Sequence, residues 1–187
     1  MLAMKPGRRR GGATLLELMA VLAISAVMMG MAMPGLHHLV RSQQLKAGTS
    51  DLFGAIGLAR MQAIARGRKV LLAPADANVG WRGGWVVFID QDGNRRPDAG
   101  EEVIARHGPL AAGIEIGASF TGQQGAPYLA YNSMGRSCSD TSSQAARFGT
   151  LSLAHGGQIR RIKINMLGRA RICDPARDGA SCAGDDP

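Results

Sequence analysis

Apolar and polar positions divide the chain into three regimes. From Ala13 to Leu36 the residues read ATLLELMAVLAISAVMMGMAMPGL, almost continuously apolar with a single charge, Glu17. At ~1.5 Å rise per residue such a stretch matches the ~30 Å hydrocarbon core of a bilayer, so a membrane-spanning helix is predicted over 13–36. Pro34-Gly35 near its end predicts a bend, with the helix continuing beyond it. Over 37–67 the pattern turns amphipathic. Leu45, Leu52, Ile56, Ala59 and Ala63 recur at helical spacing and form one apolar stripe, the kind that docks on a sheet. Arg60, Arg66, Arg68 and Lys69 cluster where cations suit a helix C-terminus, and Gly67 is a stop signal.

From residue 68 the pattern changes again, to short β-like runs separated by turn residues. The candidates are Lys69–Ala73, Gly84–Ile89, Glu102–Arg106, Ile114–Ser119, Tyr128–Asn132, Gly149–Leu153, Ile159–Ile164 and Arg169–Cys173. Short strands without intervening helices imply an antiparallel arrangement, either two sheets or one strongly curved sheet. The predicted class is α+β: a long N-terminal helix packed on an antiparallel, β-rich head spanning 68–187, tail included.

Charge changes the reading of the N-terminus. Formal net charge is +8 over 187 residues, but Lys5, Arg8, Arg9 and Arg10 precede the apolar run. Loss of residues 1–12 would lower the net charge from +8 to +4. Basic residues on that side orient the helix with its N-terminus in the cytoplasm and the head outside, a single-pass protein of the inner membrane. A secretory signal peptide would have a shorter apolar core followed by small residues. Here the small residues Gly11 and Gly12 come first. A plain membrane anchor leaves Glu17 unexplained, because a carboxylate near the start of a membrane helix is costly unless paired.

Gly12-Ala13-Thr14-Leu15-Leu16-Glu17-Leu18 resembles the type IV prepilin motif. The resemblance implies cleavage between Gly12 and Ala13 by a prepilin peptidase, leaving 1–12 as leader, followed by methylation of the new N-terminus. Ala13 stands where the family usually has Phe. Glu17 becomes the fifth mature residue, whose carboxylate would pair with the amino terminus of a neighbouring subunit and set the register of assembly. A second stretch, Trp81-Arg82-Gly83-Gly84-Trp85-Val86-Val87-Phe88-Ile89-Asp90 followed by Asp98-Ala99-Gly100-Glu101-Glu102-Val103-Ile104, is similar to the GspH/FimT group of minor pilins and pseudopilins. Together with the N-terminal motif, the resemblance covers most of the chain.

Few residues suggest small-molecule chemistry. Asp90, Asp92, Asn94, Asp98 and Glu101 place oxygens as a calcium-binding helix-loop-helix motif would. However, Arg95 occupies the position that needs Gly, and strands rather than helices flank the segment, so it reads as a structural turn. His37, His38, His107 and His155 show no ligand spacing, and neither a catalytic triad nor a phosphate loop is legible. No enzyme, cofactor or metal is expected. Three cysteines, Cys138, Cys173 and Cys182, lack zinc spacing. In an oxidising compartment they allow one disulfide and one free thiol. Cys173–Cys182 is the preferred pairing, and Cys138 remains an alternative to either partner.

Arg160, Arg161, Lys163, Arg169 and Arg171 crowd into two neighbouring candidate strands that contain no acid. Strand alternation aims Arg169 and Arg171 to one face, where guanidinium groups can hold phosphates bidentately. Gly168-Arg169-Ala170-Arg171 resembles the Gly-Arg-x-Arg motif of the FimT branch, which implies non-specific DNA binding for uptake in natural transformation. Few aromatics are available for stacking, which points to duplex DNA held by phosphate contacts. The alternative is a GspH-type minor pseudopilin of type II secretion that does not bind DNA. Asn132-Ser133-Met134-Gly135-Arg136 loosely echoes the segment from Asn165 and reads as a second, similar turn.

Overall fold

The computed structural model describes residues 14–122, 125, 127–184 and 187, with the backbone alone for 30–34. The expected processing site, Gly12–Ala13, lies outside the described residues. The chain forms two compact units that divide between Leu39 and Val40.

One helix, α1 (Leu15–Arg66), runs through both units. Thr14 precedes it and accepts a hydrogen bond at Oγ1 from Glu17 N, 3.3 Å away, satisfying one of the first-turn donors. Glu17 itself sits in that first turn, where a carboxylate suits the positive end of the helix dipole. In the N-terminal unit the apolar residues are exposed on every face: Leu15 is 83% exposed, Leu22 62% and Val27 63%. No described helix is long and apolar enough to cross a membrane. The predicted span over 13–36 includes residue 13 and the side chains of 30–34, which lie outside the described residues.

The second unit is the head. Here Leu45, Leu52, Ile56, Ala59 and Ala63 are all buried in one core, as the stripe predicts. Gly67 ends the helix with a φ of +61°, a left-handed conformation that glycine adopts without strain. Among the described residues nine strands follow: β1 (Val70–Pro74), β2 (Trp85–Phe88), β3 (Val103–His107), β4 (Glu115–Phe120), β5 (Leu129–Tyr131), β6 (Ser137–Cys138), β7 (Gly149–His155), β8 (Gln158–Ile164) and β9 (Ala170–Cys173). They build a five-stranded sheet in the order β3-β2-β1-β5-β6 and a four-stranded sheet in the order β4-β7-β8-β9, with antiparallel pairing throughout. Each predicted strand has its counterpart; the two-residue β6 was not foreseen.

The helix stripe packs with Val70, Leu72, Trp85 and Val87 of the larger sheet and with Leu151, Leu153, Ile162 and Ile164 of the smaller one. The outward face of the larger sheet is also buried, in a second cluster of Leu71, Ala73, Val86, Phe88, Tyr128, Ala130 and Cys138. Burial on both faces explains why β1 and β2 read as continuous apolar runs rather than alternating ones. In the Trp81–Trp85 segment a Cβ at Gly84 would stand 2.2 Å from His107 O, so only glycine lets β2 approach the end of β3. Trp85 stacks on His107 at 4.1 Å.

Candidate functional site

The basic residues singled out in the sequence lie on β8, β9 and the turn between them. The pairs Gly117↔Ser152, Ser152↔Arg161 and Arg161↔Cys173 align four strands into one row on the outward face of the smaller sheet. Lys163 pairs with Arg171 beside it. The C-terminal tail crosses this face. Asp174 caps a short helix, α2 (Pro175–Asp178), by accepting from Ala176 N at 3.1 Å. A turn of 3-10 helix follows, and a disulfide joins Cys182 to Cys173. Three successive tail carbonyls then meet three of the cations. Ser181 O accepts from Arg171 Nη2, Cys182 O from Arg161 Nη1 at 2.7 Å, and Ala183 O from Lys163 Nζ at 2.7 Å. Gly184 lies over Thr150 and Arg161, and Pro187 over Gly117.

This cover redistributes the expected contact residues. Arg161 is buried, at 6% exposure, and is not the surface contact that the sequence suggests. Its guanidinium serves Ser152 Oγ and the tail. Arg160 lies on the opposite face of β8 and forms an ion pair with Asp174 at 2.8 Å. Lys163 and Arg171 hold the tail. Arg169 is exposed, and among the described residues its side chain makes no hydrogen bond or ion pair. Cys138, the third cysteine, is a free thiol buried in the second cluster, and burial pushes its pKa up, which keeps it protonated and unreactive.

Two turns of the same construction meet at this end of the head. In the β5–β6 turn, Asn132 Oδ1 accepts from Met134 N and Arg136 N, each at 3.0 Å, and Gly135 takes a φ of +71°. In the β8–β9 turn, Asn165 Oδ1 accepts from Leu167 N at 3.0 Å and Arg169 N at 2.9 Å, and Gly168 takes a φ of +76°. The turns stack: a Cβ at Gly168 would stand 2.5 Å from Gly135 O and 2.9 Å from Ser137 N. Ser137 Oγ donates to Asn165 O at 3.0 Å, and Tyr131 OH to Gly168 O at 3.2 Å. The sequence echo marks the likeness of the turns but not their contact.

The acidic loop after β2 is built as a turn. Asp90 accepts from Gly93 N at 2.7 Å and Arg95 N at 3.1 Å, while Glu101 accepts from Gln91 N at 2.7 Å and Asp98 N at 3.2 Å. Oxygens of Asp90, Asp92 and Glu101 lie within 4.8 Å of one another, already engaged as backbone acceptors. Burial, with Glu101 and Asp92 nearby, pushes the Asp90 carboxyl up despite these hydrogen bonds. Arg95 does not enter the loop as its position suggests. It adopts a φ of +64°, lies 4.6 Å from the centre of the Tyr128 ring and pairs with Asp140. Burial pushes Asp140 up, but hydrogen bonds from Tyr128, Arg95 and Ser139 and the charge of Arg95 outweigh it and hold its pKa at about 2.

The comparisons agree with this anatomy. A family model described as "Type II transport protein GspH" matches residues 48–168, and a "Prokaryotic N-terminal methylation motif" matches residues 7–33. The chain belongs to the GspH family of type IV pilin-like proteins. It is 32% identical to the pilin-like protein PilA1 of Thermus thermophilus over 165 residues, covering 87% of this chain and 98% of that protein. The minor pilin FimU of Pseudomonas aeruginosa shares the fold with a TM-score of 0.57 at 15% identity, over 78% of this chain and 99% of FimU. The minor pseudopilin EpsH of the Vibrio cholerae type 2 secretion system does so with a TM-score of 0.50 at 16% identity, over 72% and 99%. Family membership makes the protein a pilin or pseudopilin. It is a membrane-anchored subunit that assembles with other pilins and is a substrate of a prepilin peptidase.

Proposed function

We propose that this is a minor type IV pilin whose head binds extracellular duplex DNA through C-terminal arginines, for uptake in natural transformation. The observation that carries the reading is Arg169, an exposed guanidinium without a partner among the described residues, fixed on a rigid Asn-Gly turn beside Arg171. No acid occurs from Thr141 to Cys173, so this edge has a positive field that phosphates would sense. The remaining elements fit the deployment. Residues 1–12 are removed at Gly12–Ala13, and the helix spans the inner membrane once with the head in the periplasm until assembly. Glu17 pairs with the N-terminus of a neighbouring subunit. The protein carries out no catalysis. The match to the GspH model and the EpsH-like fold favour one rival, a minor pseudopilin of type II secretion without a DNA partner.

The test is a mobility shift with the full-length protein in detergent and a short duplex. Arg169→Ala/Arg171→Ala is expected to abolish most binding, and the parent's affinity to fall steeply with added salt. Parent-like binding by the double variant would remove this site from consideration.

A further inference from the structure

The stacked turns bring a third and a fourth guanidinium into play. Arg136 follows Gly135 as Arg169 follows Gly168, and the backbones of the two glycines touch. Arg136 is exposed, and its side chain likewise makes no hydrogen bond or ion pair among the described residues. Beneath the pair lies Arg60 of α1. A Cβ at Gly135 would stand 3.2 Å from Arg60 Nε, and that nitrogen is buried without a hydrogen-bond partner. Arg60 also lines a cavity of about 140 Å³ with Tyr131 and Gly168, so it reaches both turns. A neighbouring groove of about 300 Å³ is lined by Arg136, Met134, Met166 and Leu167. Among the described residues no Asp or Glu lines either space.

We propose that the paired turns form one phosphate-binding edge, in which Arg136 and Arg60 act beside Arg169 on the phosphodiester backbone. This rests on the DNA-binding reading and extends it to residues outside the Gly168–Arg171 segment. Three guanidinium groups from separate elements, with carboxylates absent, suit an anion with several oxygens. The Asn side chains hold both turns rigid, so the arginines start from fixed backbone positions and lose little freedom on binding. Exposed Met134, Met166 and Leu167 flank the groove and suit the apolar sugar edges between phosphates.

The experiment measures affinity of the full-length protein in detergent for a short fluorescent duplex across a salt series. Arg136→Ala is expected to weaken binding about tenfold and to lower the salt slope by about one. Arg136→Lys should recover the slope but only part of the affinity, because a point charge replaces a planar fork. Arg136 is exposed, so thermal melting should match the parent; Arg136→Gln serves if the alanine variant melts early. If Arg136→Ala binds like the parent while Arg169→Ala does not, this inference fails and the DNA reading stands. If the parent does not bind duplex at all, both fail. If Arg136→Ala keeps DNA binding but is lost from filaments, the edge is a subunit interface and the inference is overturned.

Discussion

The outward face of the five-stranded sheet carries Leu71, Val86 and Phe88, whereas that of the four-stranded sheet carries Ser152, Arg161, Lys163 and Arg171. Both faces are covered, by different means. Over the first, Tyr128 closes an apolar cluster, and its ring lies 4.6 Å from the Arg95 guanidinium and 4.0 Å from that of Arg147. Asp140 accepts from the Tyr128 hydroxyl at 2.7 Å and holds Arg95. Burial there is continuous with folding, since exposing those side chains would cost the hydrophobic contribution itself. Over the second face lies a strap of tail, held by carbonyl hydrogen bonds and one disulfide. What it covers is polar and charged, so water could replace it at far lower cost. The first cover belongs to the core; the second is separable from it.

Three measurements probe that contrast. The largest effect is expected from Phe88→Ala, which should cost about 3–5 kcal/mol in denaturant unfolding of the head, because a fully buried ring leaves a cavity. A loss comparable to a surface substitution would show that the first face is loosely covered after all. Cys182→Ser comes next. Opening a loop with a sequence separation of 9 should cost about 2–3 kcal/mol on the chain-entropy account. The variant should also become protease-sensitive after Asp174 and bind DNA more tightly as Arg161, Lys163 and Arg171 are uncovered. A tail that stays protected would mean that the carbonyl contacts suffice. The smallest effect is acid sensitivity at Asp140. Its folded pKa lies below the ordinary value of 3.8, at about 2, so its stabilisation is full above about 4 and is lost as pH falls toward 2. That amounts to about 2 kcal/mol. Asp140→Asn should flatten this part of an acid-unfolding profile; an unchanged profile would remove Asp140 from the seal.

The sequence shows the first cover poorly and the second only in outline. Strands, helix stripe and stop signal were legible because period and turn residues are local signals, and Leu45 to Ala63 or Val70 to Ala73 state their burial directly. Arg95 was legible as the residue that spoils a calcium cage, but not the destination of its side chain, which answers to Tyr128 and Asp140, the latter 45 residues away. Arg161 was misread because a basic run reads as solvated until the tail is seen lying on it. The adjacency of Arg136 and Arg169 depends on β6, too short for periodicity to reveal. The shared Asn-x-x-Gly-Arg spacing was the one available clue.

The helix α1 has a consequence for traffic between phases. Thr14 takes up a backbone donor at its start, and Ser25 Oγ donates a hydrogen bond to Val21 O at 2.8 Å within the same helix. Among the described side chains of the apolar stretch, Glu17 is the only charged one. On the proposed reading, passage from lipid into a filament exchanges one set of apolar neighbours for another. On that same reading the Glu17 carboxylate alone registers the change, an address label on an otherwise indifferent rod.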